Sequence, residues 1–167
     1  MARSLAALPI GSAVFVDANI FLYGVLRSSP QCLAFLLRCL KGDLVAVASV
    51  SVLAEANQRF MIEEALASGV IARGTAAALR QAGPAVIAGL RGYEDAMRAV
   101  RDSLGRIVPL EESILAAAAV ERRLWGLMTN DSILVAAMRR NGISLLASAD
   151  RDFERVEGIT LFAPDDL

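Results

Sequence analysis

Four acidic residues stand where apolar runs of the chain give way to helical ones. Asp17 directly follows Ala13–Val16, Glu55 lies in the first turns of the helix after residues 44–49, Asp131 is at a helix start, and Asp150 directly follows residues 145–149. Each place has an ordinary explanation as a helix cap, a first-turn acid favoured by the macrodipole, or a turn residue. Together, on what should be one edge of one sheet, the four acids raise an electrostatic problem. Two like charges about 5 Å apart repel by roughly 3 kcal/mol at an effective dielectric of about 20. Such a cluster either holds protons through raised pKa values or shares a cation. Mg²⁺ or Mn²⁺ suits an all-oxygen shell that keeps several waters. A cation held this way polarises phosphoryl oxygens and lowers the pKa of a water that attacks a phosphodiester in line.

Composition removes most other hydrolytic chemistries. The 167 residues include no histidine, two cysteines, and one lysine, Lys41, so that sixteen of the seventeen basic residues are arginine. Serine and cysteine triads place an imidazole between nucleophile and acid, and most zinc sites use His or several Cys. Without an imidazole, metal-activated water is the natural nucleophile. A net charge of −1 argues against a general nucleic-acid coat, whose affinity needs a broad basic surface, but leaves room for a local phosphate site. The arginine-rich pairs Arg122-Arg123 and Arg139-Arg140, with Arg151, are candidates for phosphate contact, although basic residues in a last helical turn also suit the dipole.

These residues need elements to position them. Apolar, Val-rich strands are expected at residues 13–16 and 44–49, an extended stretch at 106–110, and strands at 145–149 and 159–162. Helices are expected over residues 20–26, 31–40, 51–67 with Ser51 as N-cap, two segments within 71–101 divided by Gly83-Pro84, 111–125, and 128–140 with Thr129 or Asn130 as cap. Short apolar strands alternating with helices predict an α/β fold with a central parallel sheet of four to five strands. Ligands of such sheets bind at the strands' carboxyl ends. The length fits one domain spanning residues 1–167. The longest uncharged run near the start, residues 4–16, contains Pro9 and Gly11 and falls short of the roughly 20 apolar residues of a span. Neither a membrane segment nor a secretory signal is expected. Cys32 and Cys39 lie about 10 Å apart along one helix at 1.5 Å per residue, too far to pair; buried free thiols suit a reducing cytoplasm. Trp125 and the phenylalanines are expected in the core.

The segments Val14-Phe15-Val16-Asp17-Ala18-Asn19, Ser51-Val52-Leu53-Ala54-Glu55, Thr129-Asn130-Asp131-Ser132-Ile133-Leu134 and Ala147-Ser148-Ala149-Asp150-Arg151-Asp152-Phe153 resemble the successive signature segments of PIN domains, especially the VapC-type toxin ribonucleases. The resemblance spans about residues 13–163 and is most specific in the last two segments. It implies a three-layer α/β/α PIN-like fold and a Mg²⁺- or Mn²⁺-dependent endoribonuclease whose products carry 5′-phosphate and 3′-hydroxyl ends. Its acids map to Asp17, Glu55, Asp131 and Asp150. Asp17, Asp131 and Asp150 would hold the metal, with Asn19 supporting Asp17 and Asp152 as a further candidate. It also implies an RNA substrate, a cognate antitoxin seated near the helices over residues 31–40 and 57–66, and a homodimer. The chain departs from the toxin-type pattern in its enlarged helical middle, residues 71–101, and in Ser132, where Ala is usual. A nuclease of RNA processing or decay and an inactive metal-binding interaction module are the alternatives. A phospho-receiver domain would need a late-strand lysine, and Lys41 comes far too early.

Overall fold

The computed structural model describes residues 2–167. Six strands, β1 (Arg3–Ser4), β2 (Ala13–Val16), β3 (Val45–Ser49), β4 (Arg106–Val108), β5 (Leu145–Ala147) and β6 (Thr160–Ala163), form one sheet in the order β1-β6-β5-β2-β3-β4. Every pairing is parallel, with Phe15 of β2 facing Val47 of β3 on one side and Leu146 of β5 on the other. Strands covered on both faces read as continuous apolar runs, and Val14, Phe15, Val16, Ala46, Val47 and Ala48 are indeed buried.

Eight α-helices connect the strands: α1 (Ala18–Val25), α2 (Pro30–Leu40), α3 (Val50–Ala67), α4 (Ala76–Ala82), α5 (Pro84–Gly89), α6 (Gly92–Ser103), α7 (Glu112–Trp125) and α8 (Thr129–Arg140). The chain crosses from β2 to β3 through α1 and α2, and on to β4 through α3 to α6. It then returns past β2 to β5 through α7 and α8. Right-handed crossovers running in opposite directions put their helices on opposite faces, giving three layers. Accordingly α1, α2, α3 and α6 pack among themselves, and α7 packs on α8. The direction of travel reverses between β2 and β5, which is where a ligand crevice forms in such sheets.

The expected architecture is therefore present, with six strands where four to five were expected. The addition is β1, two exposed residues paired with Phe162 and Ala163, too short to leave a periodic signal. Ser49, not Ser51, caps α3: it ends β3 in an extended conformation and its Oγ accepts from the Val52 N–H, while Ser51 Oγ lies 2.8 Å from Ser49 Oγ. Helix α8 starts after Met128, and neither Thr129 nor Asn130 caps it. Strand β5 stops at Ala147, so Ser148 and Ala149 separate it from Asp150. Trp125 is half-buried, and its indole N–H donates to Glu121 Oε2 at 3.0 Å. The buried Glu121 also accepts from Arg139 Nε at 2.7 Å, joining α7 to α8. Cys32 and Cys39 are free and buried, and burial pushes their thiols up to about 11 and about 12.

Residues 71–101 hold three helices rather than two. Gly83, at φ +95°, ends α4 and precedes Pro84 at the first position of α5. A further break falls before α6, whose N-cap residue, Arg91, offers no side-chain acceptor. Glu64 of α3 supplies it: its Oε1 accepts from Arg91 N–H at 2.8 Å and its Oε2 from Tyr93 N–H at 2.9 Å. These bonds hold the Glu64 carboxyl below its usual range, against the opposing effect of burial. A Cβ on Gly92 would stand 3.3 Å from Glu64 Cδ, which accounts for glycine there. Glu64→Ala is expected to cost about 1 kcal/mol, as loss of a helix cap does, read as a lowered urea midpoint.

Helix α2 braces both ends of the described chain. Near its last turn Arg38 donates to the carbonyls of Leu5 at 3.2 Å and Leu8 at 2.6 Å. At its first turn Asp166 accepts from Ser29 Oγ at 2.6 Å and Gln31 N–H at 2.9 Å. Among the described residues no single helix is long and apolar enough to cross a membrane; the apolar pair α1 and α2 bends by 101° between its members.

Candidate active site

Asp17 leaves β2 at the crevice between β2 and β5, and its backbone N–H still donates to the Ala147 carbonyl at 3.0 Å. Its side chain has two duties. Oδ1 accepts from the Ala18 N–H at 2.6 Å and so caps α1, while Oδ2 accepts from Asn19 Nδ2 at 2.7 Å and Ser148 Oγ at 2.6 Å. Asn19 makes two further bonds: its Nδ2 also reaches Ser148 Oγ, and its Oδ1 accepts from the Ala149 N–H at 3.1 Å. Ser148 Oγ in turn accepts from the Asp150 N–H at 3.0 Å. One network thus fixes Asp17 and the backbone that carries Asp150 relative to each other.

Glu55 on the second turn of α3 and Asp131 in the first turn of α8 reach the same crevice. Asp17, Ser51, Val52, Glu55, Asn130, Asp131 and Leu134 line it. Asn130 Nδ2 donates to Glu55 Oε2 at 2.7 Å, holding the carboxylate across from α8. The first turn of α8 is held by Ser132, whose Oγ donates to the Thr129 carbonyl at 2.8 Å and accepts from Arg122 Nη1 at 3.1 Å.

The charges of these groups register on one another. Asp17, only 9 % exposed, has its pKa raised from 3.8 to about 6. Burial is the largest cause, and the charges of Glu55 and Asp131 add to it, while the bonds from Ser148 and Ala18 oppose it. Asp131 is raised by burial, then by the charges of Asp150 and Glu55 and more weakly by Asp152. Among the described residues none of Asp17, Glu55, Asp131 and Asp150 forms an ion pair with an arginine or lysine.

Asp150 sits beside the crevice, outside its lining, with Oδ1 accepting the Asp152 N–H at 2.8 Å as the cap of the short 3-10 turn Arg151–Arg155. Asp152 has a structural partner in Arg155 at 2.7 Å, and Arg155 Nε donates to the Trp125 carbonyl at 2.6 Å. That bond ties the turn to the carboxyl end of α7, where a cation is favoured. The arginines considered for phosphate contact are mostly engaged within the protein: Arg122 with Ser132, Arg139 with Glu121, Arg140 with Glu111, and Arg151 with Glu154.

As the side chains stand, no three His, Cys, Asp or Glu among the described residues are grouped closely enough to hold one metal ion. The chemistry of the donor set nevertheless fits a hard divalent cation, being all oxygen, net negative and without a counter-cation. Ser148 and Asn130 are the two site residues that sequence reasoning missed as functional. Ser148 left one signal, a hydroxyl at the end of an apolar run, where burial obliges it to find partners. Asn130 left none beyond its place next to Asp131.

Comparison with known proteins bears on the fold and the family. No curated protein matches the chain. Among solved structures, VapBC2 of Rickettsia felis, bound to a promoter DNA fragment, aligns with a TM-score of 0.56 at 16% identity, over 92% of this chain and 99% of that one. A toxin-antitoxin complex from Klebsiella pneumoniae gives 0.56 at 15% identity, over 88% and 95%. VapC20 of Mycobacterium tuberculosis, a toxin that cleaves the sarcin-ricin loop, gives 0.50 at 17% identity, over 86% and 95%. At these identities the likeness is one of fold. The family model for the PIN domain matches residues 14–159, which reaches from β2 to the residue before β6 and takes in Asp17, Glu55, Asp131 and Asp150. The chain belongs to the PIN domain family.

Proposed function

We propose that the protein is a metal-dependent endoribonuclease, the toxin of a toxin-antitoxin pair. The observation that carries this reading is the acidic crevice, where Asp17, Glu55 and Asp131 line the cavity and Asp150 stands beside it, none with a basic partner among the described residues. Asp17, Asp131 and Asp150 would hold Mg²⁺ or Mn²⁺ there. When bound, such a cation supplies Lewis-acid polarisation of a phosphoryl oxygen and a lowered pKa for water. Within the chain, the Ala18 N–H, Asn19 and Ser148 orient Asp17, and Asn130 fixes Glu55, whose carboxylate would act on the attacking water. Glu55 accepts that water's proton. No histidine exists to do so.

The toxin assignment is supported by the toxin-antitoxin systems among the structural neighbours. An antitoxin partner, a homodimer and a cytoplasmic location belong to the same reading, as does a single PIN-like domain over residues 1–167. For the dimer, the support is the exposed apolar row Val120, Leu124 and Met128 along and beyond α7. The test is incubation of the purified protein with a panel of structured and single-stranded RNAs in Mn²⁺, Mg²⁺ or EDTA, beside Asp131→Asn. Cleavage is expected only for the unsubstituted protein with a divalent ion. Cleavage that persists in EDTA or in the variant overturns the metal mechanism, and a panel left intact overturns the ribonuclease.

A further inference from the structure

The helices between α3 and α6 carry a charge pattern unlike the rest of the chain. From Ala65 to Tyr93 there is no acidic residue, and the only charges are Arg73, Arg80 and Arg91, in a chain whose net charge is −1. Arg91 donates to the carbonyls of Ala88 at 2.8 Å and Leu90 at 2.6 Å, closing α5. The side chain of Arg80, exposed on α4, has no hydrogen-bond or ion-pair partner among the described residues, and neither does that of Arg59, exposed on α3. Arg80 also lines a cleft of about 180 Å³ together with Gln58, Met61, Ala76, Leu79 and Ile87.

This cleft lies beyond the acidic crevice along α3, with Gln58 the lining residue one turn past Glu55. Gln58 and Arg59 follow Glu55 by three and four residues, so all three share a helix face. Met61 lies about 9 Å farther along the axis than Glu55, at 1.5 Å per residue. The electrostatics of the crevice give that proximity a purpose. Carboxylates that act on one phosphate repel its neighbours in the strand, so the flanking backbone must find its cations beside the crevice rather than in it. Guanidinium groups bind phosphate in a bidentate manner and also stack on unpaired bases. The cleft adds apolar walls and one amide, Gln58, that can meet a base edge.

Resting on the ribonuclease reading above, we propose that Arg59, Arg80 and this cleft hold the RNA strand flanking the scissile phosphate. The two guanidinium groups take phosphates, and one unstacked base enters beside Gln58, Met61 and Leu79. An acidic protein segment would meet the same charges, but the position of Gln58 and Arg59 one turn past Glu55 favours the strand that Glu55 acts on.

The test uses the full chain, Mn²⁺, and a fluorescein-labelled single-stranded RNA, with KM and kcat measured between 50 and 200 mM salt. Arg59→Gln/Arg80→Gln keeps two exposed helix formers and should leave the fold intact. Its KM is expected to rise about tenfold, with kcat at saturation unchanged. The slope of log(kcat/KM) against log salt should become shallower by about 1.4, the value for two single-strand phosphates at about 0.7 each. Leu79→Trp, which fills the cleft, should raise KM without altering that slope. Unsubstituted protein that cleaves the RNA while the double variant matches it in KM and slope overturns this proposal alone. RNA left intact by the unsubstituted protein overturns the reading beneath it as well. Polyglutamate bound through Arg59 and Arg80, with RNA kinetics unaffected by their loss, assigns the surface to an acidic protein instead.

Discussion

Asp17→Asn is expected to make the protein inactive and more stable at once. On the activity side, removing a carboxylate that several kcal/mol of charge stabilisation depend on should lower RNA cleavage by about 100-fold or more. On the stability side, the folded protein raises the Asp17 pKa from 3.8 to about 6. A carboxyl whose folded pKa lies above its unfolded value binds its proton more tightly in the native state. Its contribution is fully present below pH 3.8, declines as pH rises through about 6, and is absent above that. The shift corresponds to at most about 3 kcal/mol lost by pH 8. Asparagine does not titrate, so the variant should match the unsubstituted protein at pH 3.5 and exceed it by about 1–3 kcal/mol at pH 8. The gain falls short of the maximum because the amide NH₂ cannot accept from Ala18, Asn19 or Ser148. Millimolar Mn²⁺ should stabilise the unsubstituted protein at pH 8 and leave the variant unmoved. Denaturant titrations at the two pH values, with and without Mn²⁺, check each part; a variant less stable at pH 8 than at pH 3.5 relative to its parent would refute the electrostatic account.

Phe153→Ala should have the largest effect on folding. Phe153 is fully buried, and it is the only buried side chain of the turn Arg151–Arg155 that follows Asp150. Deleting a buried phenyl ring typically costs about 3–5 kcal/mol through lost transfer energy and the cavity left behind. The cost should appear as a lowered denaturant midpoint. The turn it anchors also carries Asp150, so Mn²⁺ affinity should fall with stability. Arg155→Gln, which removes the exposed tie to Trp125 and Asp152, should weaken the turn far less.

These two positions illustrate what was legible in the sequence and what was not. Asp17 and Phe153 declared themselves because each sits at the end of an apolar pattern: a charge that stops a strand, an aromatic that returns to the core after polar residues. Asp17 caps α1 and also joins the network of Asn19 and Ser148 beside the crevice. The two explanations were never exclusive, since capping uses Oδ1 and the site network uses Oδ2. Ser148 and Asn130 were illegible because their roles exist only across the crevice, 131 residues from Asp17 and 75 from Glu55 in sequence. The cap of α6 was hidden for the same reason. Arg91 and Gly92 look like a poor helix start, and only the fold brings Glu64 to correct it. Local pattern therefore located the acids, whereas the groups that orient them depended on tertiary contact.

The bracing of both chain ends on α2 has a topological meaning. Arg38 holds the segment before β2, and Ser29 and Gln31 hold the segment after β6, while β1 pairs with β6. The chain is thereby closed into a loop without a covalent link, fastened once along the sheet edge and once along a helix. Both segments are thus fastened to the same helix, one at its first turn and one near its last. Fraying, ordinarily the cheapest opening of a fold, is coupled here to α2, whose Cys32 backbone packs against Gly24 so closely that a Cβ there would lie 3.1 Å from the Cys32 carbonyl oxygen.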